Sequence, residues 1–394
     1  MRVPVRFRRM GSIYWLWLLV SLSLAAQTGG PPATPPANEA AIELHADLER
    51  GADAMHKGDL SAAAESFRQV LRIDPHSLAA LNNLGIVLSR EGKPAEAIPL
   101  YEEALKVRPG DPATQRNLAV AHFKAQHYRS AWSLLQPMAV AYPNDFQILD
   151  LGGLSLFALD RYTEAAKYLE RANQAQPSDL ETLDMLGKAY LRMKDYKALT
   201  SVFARIMQLN PNSAPAHIMM AQAYDQMENR PEAIKEYQAA VAADPNFTGV
   251  HSGLGFEYWR EGENEPAEKE FRAELQNFPS DPVSNCILGQ ILLAQSKPEE
   301  AAPHLQAAIA TNPRYTEAFF FLGKAELALE HPQAAVEALR KAIRIDPDYY
   351  QAHYVLGTVL RQLGQTAEAT KEQKLSAEIQ EKTRTEAIKK NESQ

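Results

Sequence analysis

The chain has 394 residues, of which 45% are hydrophobic, with 25 Pro, 19 Gly, a single Cys and a formal net charge of −8. This length allows two or three ordinary domains or one long array of repeats, and the single Cys excludes a disulfide framework and a Cys-based zinc site. The negative charge argues against a nucleic-acid partner, because phosphate neutralisation needs clustered Lys and Arg.

Residues 1–26 are predicted to be a signal peptide. Four arginines among the first nine residues precede an apolar run from Ile13 to Ala26, and this order, closed by small residues, is typical of export signals. Cleavage is expected after Ala25 or after Ala26. The alternative is an uncleaved membrane anchor, but this run is short for the roughly 30 Å of hydrocarbon in a bilayer. We therefore expect an exported protein, periplasmic or extracellular, with a bacterial cell envelope as its setting and with membrane contact only if the signal stays uncleaved.

Residues 27–43 are predicted to be a spacer that leads into the first helix. The segment from Gln27 to Pro36 holds four Pro and two Gly, a composition that is excluded from the interior of a helix or sheet. We expect a semi-extended connection between the signal and the folded part of the chain. The alternative is a proline-rich ligand for a partner domain.

The remainder of the chain is periodic. Nine prolines are each separated by 34 residues, namely Pro75, Pro109, Pro143, Pro177, Pro211, Pro245, Pro279, Pro313 and Pro347. If each of them is set at position 32, residues 44–383 divide into ten repeats, which begin at Leu44, Leu78, Pro112, Phe146, Leu180, Ala214, Thr248, Pro282, Thr316 and Tyr350. We number these repeats 1 to 10. A fixed period of this length is the signature of a repeat architecture.

Each repeat is predicted to form two antiparallel helices. Apolar residues recur at three- and four-residue spacing in both halves, and Gly or Pro separates the halves of most repeats near positions 15 to 18. Position 8 is Gly or Ala, position 20 is Ala in nine repeats, and position 24 is bulky in nine, so the helix backbones can approach beside a large side chain. The Pro at position 32 ends the second helix. Helix-capping residues are predicted at six junctions: Ser77, Asp111, Asp145, Asp179, Ser213 and Asp281.

These positions together resemble the tetratricopeptide repeat (TPR) family, and the resemblance covers residues 44–383. It implies an all-α fold, a right-handed α-solenoid or superhelix of ten helix-turn-helix repeats whose first helices line a concave groove. Repeat 10 lacks the Pro and continues into the polar segment Lys371–Gln394. This segment is predicted to be a C-terminal capping helix that covers the last apolar face, with residues 384–394 as a polar tail.

The sequence predicts a protein that is not an enzyme. It contains no His-Glu-x-x-His motif, phosphate-binding Gly loop or Gly-x-Ser-x-Gly motif, and its ten His are scattered, so no catalytic residue, metal ligand or cofactor is expected. Gly253-Leu254-Gly255 partly matches a dinucleotide-binding loop, but Gly255 is already accounted for at position 8 and no strand precedes it. Cys286 is expected to be a small core or groove residue rather than a nucleophile.

Positions 2, 5, 6, 9, 12 and 13 of the first helices line the groove in the TPR family, and the resemblance therefore implies two groups of partner-binding residues. The first group is polar and lies near the N-terminus: Asn82, Asn83, Arg116 and Asn117. Asn can donate and accept hydrogen bonds, so it can pair with an extended peptide backbone, although ordinary repeat surface is an equal alternative.

The second group is aromatic and comprises Phe157, Phe256, Trp259, Phe320, Phe321 and Tyr354. Consecutive residues of a helix point about 100° apart, so Phe319, Phe320 and Phe321 cannot all face one way and at least one is expected in the groove. Such an apolar patch would mark a partner surface, and the alternative is packing between repeats alone.

The leading hypothesis is an exported, non-catalytic scaffold that binds a partner protein or an extended peptide in its concave groove, in cell-envelope assembly or secretion. The five positions of the chaperone-type carboxylate clamp hold one matching residue, Asn83, so that ligand class is not expected. The alternatives are a self-assembling structural protein, a targeting subunit for an enzyme on a separate chain, and a carbohydrate or lipid ligand in the groove. The sequence specifies neither the partner nor the oligomeric state.

Overall fold

All the regular structure in the described part of the chain is α-helical. The computed structural model describes residues 35–392, so the predicted signal peptide lies outside the described residues. Twenty helices and no strand occur between residues 35 and 392, and the all-α prediction is confirmed. The chain divides into two compact bodies, Met1–Val202 and Phe203–Gln394, which we call the N-terminal body and the C-terminal body.

The N-terminal body holds the helices of repeats 1 to 4 and the first helix of repeat 5. They are α1 (Pro35–Lys57), α2 (Leu60–Ile73), α3 (Leu78–Arg90), α4 (Pro94–Val107), α5 (Pro112–Lys124), α6 (Tyr128–Ala141), α7 (Phe146–Ala158), α8 (Tyr162–Ala175) and α9 (Leu180–Met193). Helix α10 (Tyr196–Leu209) crosses the boundary between the bodies. From α1 to α9 each helix packs against the next, so successive hairpins stack into an α-solenoid.

The C-terminal body holds repeats 6 to 10. Its helices are α11 (Ala214–Gln226), α12 (Arg230–Ala243), α13 (Val250–Arg260), α14 (Asn264–Asn277), α15 (Pro282–Ala294), α16 (Pro298–Thr311), α17 (Thr316–Ala328), α18 (Pro332–Ile345), α19 (Tyr350–Gln362) and α20 (Thr366–Glu392). Each packs against its successor, as in the N-terminal body. None of the helices between residues 35 and 392 combines the length and the apolar character that crossing a bilayer requires.

The two helices of a repeat meet at the small residues of positions 8 and 20. The residue at position 20 is fully buried in all ten repeats, including Leu199 in repeat 5. A Cβ atom added to Gly85 would lie 2.7 Å from the Tyr101 ring, and one added to Gly289 would lie 2.6 Å from Cγ of Leu305. Both pairs join position 8 to position 24, which confirms that the bulky side chain fills the space beside the small one.

The turn inside every repeat contains a residue with left-handed backbone geometry at position 15. Four of these residues are glycines: Gly58, Gly92, Gly262 and Gly364. The other six have φ between 59° and 63° and are Gln126, Asp160, Lys194, Glu228, Ser296 and Glu330. A side chain makes this conformation unfavourable by about 1–2 kcal/mol, so the sequence indicates the turn clearly only where Gly is present.

Five of the six predicted capping residues cap the following helix. Each accepts a hydrogen bond from the backbone N–H three residues later, at 2.7 to 3.4 Å, and the five are Asp111, Asp145, Asp179, Ser213 and Asp281. The prediction was wrong for Ser77, whose side chain makes no capping hydrogen bond to α3. Helix α13 is also irregular, because it begins at Val250 rather than at Thr248.

The two ends of the described chain are more helical than the sequence predicts. Helix α1 begins at Pro35, so the last two residues of the predicted extended spacer are helical; Pro is tolerated there because N–H groups of the first turn have no intrahelical partner. The capping helix is not a separate element, since α20 runs unbroken from Thr366 to Glu392. Glu381 stands where the other repeats carry Pro, and the second helix of repeat 10 continues through it into the predicted polar tail.

Candidate functional site

A pocket of about 450 Å³ lies on the first helices of repeats 7, 8 and 9 in the C-terminal body. It is lined by Trp259 of α13, Asn264 of α14, Gln290, Ile291, Leu293 and Ala294 of α15, and Phe321, Lys324 and Ala328 of α17. This pocket brings together two of the predicted partner-binding residues, Trp259 and Phe321.

The Trp259 wall of the pocket is supported by the rest of α13. The ring centroids of Phe256 and Trp259 are 5.8 Å apart, so Phe256 packs beside the indole without lining the pocket itself. The Arg260 guanidinium lies 5.7 Å from the Phe256 centroid and forms ion pairs with Asp225 and Glu257. These contacts fix the aromatic side chains of α13 in place.

The Phe321 wall of the pocket belongs to an aromatic cluster on α17. Phe321 is partly exposed and lines the pocket, whereas Phe319 and Phe320 are each only 7% exposed. The Phe320 ring packs between Phe321, with centroids 5.0 Å apart, and Tyr349, with centroids 5.2 Å apart. Phe320 therefore has little surface left for a partner, in contrast to its predicted role, and of these three rings Phe321 reaches the pocket.

Two other predicted aromatic residues lie away from the pocket. Phe157 is buried in the N-terminal body, where its ring packs edge-on against Tyr162 with centroids 5.2 Å apart. It is a core residue, so its predicted role in binding is not supported. Tyr354 on α19 is 62% exposed but does not line the pocket.

The polar candidates lie in the N-terminal body and divide into two kinds. Asn82 and Arg116 connect neighbouring repeats, because Asn82 accepts a 3.0 Å hydrogen bond from Thr114 and Arg116 donates to Asp145 at 2.9 Å and to Gln147 at 3.0 Å. Their side chains are thus occupied by the solenoid itself. Asn83 and Asn117 are partly exposed, and their side chains have no hydrogen-bond partner within the described residues.

The sequence did not single out three polar residues that line the pocket: Asn264, Gln290 and Lys324. The Lys324 ammonium lies 5.6 Å from the Phe321 centroid and 5.8 Å from the Phe320 centroid, which is a cation–π arrangement. Lys324 and Gln290 occupy position 9, one of the groove positions of the family, and that position was the signal that could have identified them.

Glu257 is a buried carboxylate on α13, two residues before Trp259. It is only 2% exposed, and its Oε2 atom has no hydrogen-bond partner in residues 35–392. Burial raises the pKa of Glu257 and the Asp225 carboxylate raises it further, although Arg260 at 3.5 Å opposes the shift. The folded protein therefore binds a proton at Glu257 more readily than the unfolded chain does.

We expect Glu257→Gln to stabilise the protein by about 1 kcal/mol at neutral pH, because it removes an incompletely paired buried charge. The raised pKa means that the carboxylate lowers stability at neutral pH, and that this loss disappears as the pH falls from the raised pKa of the folded protein to the ordinary carboxyl value. Urea unfolding at pH 7 and pH 4 should therefore show a difference between the variant and the native chain that shrinks at pH 4. The exposed Glu265→Gln is the control, and equal stability of both variants at pH 7 would contradict the argument.

Models of the tetratricopeptide repeat match both bodies of the chain. One model matches residues 48–112, 288–349 and 322–377, and a second matches residues 88–152 and 200–255. A solved tetratricopeptide repeat protein from Parabacteroides merdae aligns with 73% of this chain and 99% of its own, at 20% identity and a TM-score of 0.44.

Two curated relatives match shorter parts of the chain. The cellulose synthase operon protein C of Komagataeibacter sucrofermentans is 32% identical over 108 residues, which are 23% of this chain and 8% of that protein. The photosystem I assembly protein Ycf3 of Synechococcus sp. (strain CC9605) is 26% identical over 92 residues, which are 23% of this chain and 53% of that protein. The chain therefore spans about half or less of the length of these relatives.

Proposed function

This chain belongs to the tetratricopeptide repeat family, and we propose from that membership that it is a non-catalytic scaffold that binds an extended segment of a partner protein on its first helices. Proteins of this family act in protein–protein interaction. The finer proposal concerns where the partner binds, and it places the contact at the pocket formed by α13, α15 and α17.

The observation that carries this proposal is the aromatic pocket itself. Trp259 and Phe321 face one cavity from two different repeats, and each is supported by a second ring, Phe256 or Phe320. Trp side chains often dominate the binding energy of protein interfaces. The walls belong to packed helices rather than loops, so little conformational entropy is lost on binding.

The proposed setting is the bacterial cell envelope, after export. The basic and apolar residues of the first 26 positions support export, and an assembly role is in keeping with the name of the relative from Synechococcus. We propose that the scaffold serves envelope assembly or secretion, in the periplasm or outside the cell.

The test is affinity purification of the full chain, tagged at its C-terminus, from its native host. We expect the native chain to retain a partner and the Trp259→Ala, Phe321→Ala variant to retain at least tenfold less, because both walls of the pocket are removed. Tyr142→Ala, which alters an exposed aromatic residue of the N-terminal body, should retain the partner at the native level.

Circular dichroism must show that all three proteins are equally helical. Equal recovery of the partner by the native chain and the pocket variant would refute the pocket as the binding site. N-terminal sequencing of the same material tests cleavage of the signal, since a chain that starts at Ala26 or Gln27 supports it and one that starts at Met1 contradicts it.

A further inference from the structure

We propose that the pocket on α13, α15 and α17 binds an extended segment in which a large apolar side chain is followed within two residues by an acidic side chain. This inference rests on the proposed function and adds the chemistry of the bound segment. The observation that supports it is that the pocket has two parts, an apolar part and a set of hydrogen-bond donors that have no partner within residues 35–392.

The apolar part is formed by Trp259, Ile291, Leu293 and Phe321. A pocket of about 450 Å³ lies within the range of about 300–1,000 Å³ that is usual for small-molecule sites. It therefore has room for a Leu- or Phe-sized side chain together with the backbone on either side. The indole and phenyl rings offer this side chain large apolar contact areas.

The polar part offers donors that the protein does not use. Trp259, Asn264 and Lys324 line the pocket, and none of these three side chains has a hydrogen bond or ion pair within residues 35–392. A ligand group that accepts hydrogen bonds can pair with donors of this kind. A carboxylate is such a group, because it has two acceptor oxygens and hydrogen bonds to it are strengthened by charge.

The charge of the pocket points to the same ligand. Lys324 is the charged residue that lines it, whereas Arg260, which follows Trp259 on α13, pairs with Asp225. Among the acids of α17, Glu326 contacts His331 at 3.0 Å rather than Lys324. The Lys324 ammonium is thus placed at an aromatic cavity with its charge uncompensated, which favours an anionic partner.

An acidic side chain fits this site better than a chain terminus does. The lining comes from three consecutive repeats, so the surface continues on both sides of the pocket and a segment can pass across it. An internal Asp or Glu allows this course, whereas a terminal carboxylate would end the ligand at Lys324.

The test uses fluorescein-labelled heptapeptides of Gly and Ser that are blocked at both ends and carry Phe at the third and Asp at the fifth position. We expect this probe to bind the full chain at least tenfold more tightly than the same peptide with Asn for Asp, as measured by fluorescence anisotropy. Lys324→Met should abolish the preference for Asp, so that the Asp and Asn peptides bind this variant equally well. Lys341→Met is the matched control, because Lys341 also lies over a Phe ring, 5.6 Å from the centroid of Phe319, but does not line the pocket.

Two further measurements, one with Trp259→Ala and one with a peptide that has a free C-terminus, show which part of the proposal fails. Equal binding of the Asp and Asn peptides, with both weakened by Trp259→Ala, would overturn the acidic preference and leave the proposed binding pocket standing. No saturable binding of the Asp peptide would overturn both. An Asn peptide with a free C-terminal carboxylate that binds more tightly than the blocked Asp peptide would replace the internal acid with a chain terminus.

Discussion

Replacement of Gly253 by Ala is expected to destabilise the protein by about 2 kcal/mol, although Ala normally favours a helix. A Cβ atom at Gly253 would lie 2.7 Å from Cζ and 2.9 Å from Cδ1 of Tyr237, and closer still to Cε1. Tyr237 is only 7% exposed, so its ring cannot move away without disturbing its neighbours. Overpacking of this kind typically lowers stability by about 1–3 kcal/mol, more than the roughly 0.5–1 kcal/mol that Ala contributes in a helix.

The matched control is Gly152→Ala, which also adds one methyl group to the interior of a first helix. A Cβ atom at Gly152 would meet Cδ1 of Tyr168 at 3.4 Å, which is ordinary contact, so this variant should be unchanged or up to about 1 kcal/mol more stable. Urea unfolding compares the two. Tyr237→Leu should rescue Gly253→Ala, and the double variant should then lose less stability than the two single losses together. Equal stabilities of the two glycine variants would refute the steric explanation.

Gly253 also shows where the repeat pattern stops being informative. The period of 34, the small residues of positions 8 and 20 and the Pro at position 32 predicted the hairpins correctly, because each hairpin is built by contacts within one repeat. Gly253 stands at position 6, and its explanation comes from the preceding repeat. There, position 8 is Ala221 rather than Gly, and the ring of Tyr237 lies over Gly253 of repeat 7. Because this contact joins two repeats that carry different residues, it does not recur every 34 residues and gives no periodic signal in the sequence.

The same limit applies to the candidate site. Sequence reasoning named Trp259 and Phe321 because aromatic residues at groove positions stand out, but it also named Phe320, whose burial depends on Tyr349 from the end of the repeat. It named Arg116 as a partner-binding residue although Asp145 pairs with it, since a polar residue gives no sign of its partner in the sequence. Lys324 was overlooked for the opposite reason. A lysine on a helix usually faces solvent, and its position over two Phe rings is visible only in three dimensions.

Glu274→Ala is expected to lower stability by about 3 kcal/mol, which is the opposite of what the repeat pattern predicts. Position 27 is Ala in five other repeats, namely Ala104, Ala172, Ala240, Ala308 and Ala342, so this substitution restores the commonest residue. In the structure, Glu274 binds the backbone at the start of α13. It is 2% exposed and accepts hydrogen bonds from the backbone N–H groups of Gly249, at 2.8 Å, and Ser252, at 3.2 Å.

These two bonds replace a missing helix cap. Helix α13 follows Gly249, which has φ 89° and no side chain to accept a hydrogen bond, whereas α15 is capped locally by Asp281. Burial raises the pKa of Glu274, and the two backbone bonds oppose that shift because they favour the carboxylate. Without Glu274, two partly buried backbone donors at the start of α13 lose their acceptor, and each lost partner lowers stability by about 1–3 kcal/mol.

Urea unfolding should place the variants in a fixed order. Glu274→Gln retains one acceptor oxygen and should fall between the native chain and Glu274→Ala, while Asp281→Ala, which removes an ordinary cap, should lose about 1 kcal/mol. Hydrogen exchange of the Ser252 amide should accelerate in Glu274→Ala before global unfolding, because the first turn of α13 opens locally. If Glu274→Ala is as stable as the native chain, the repeat pattern is the better guide at position 27. If Glu274→Ala is less stable than Asp281→Ala, then the Glu274 side chain on α14 acts as the N-terminal cap of α13, the helix that carries Trp259.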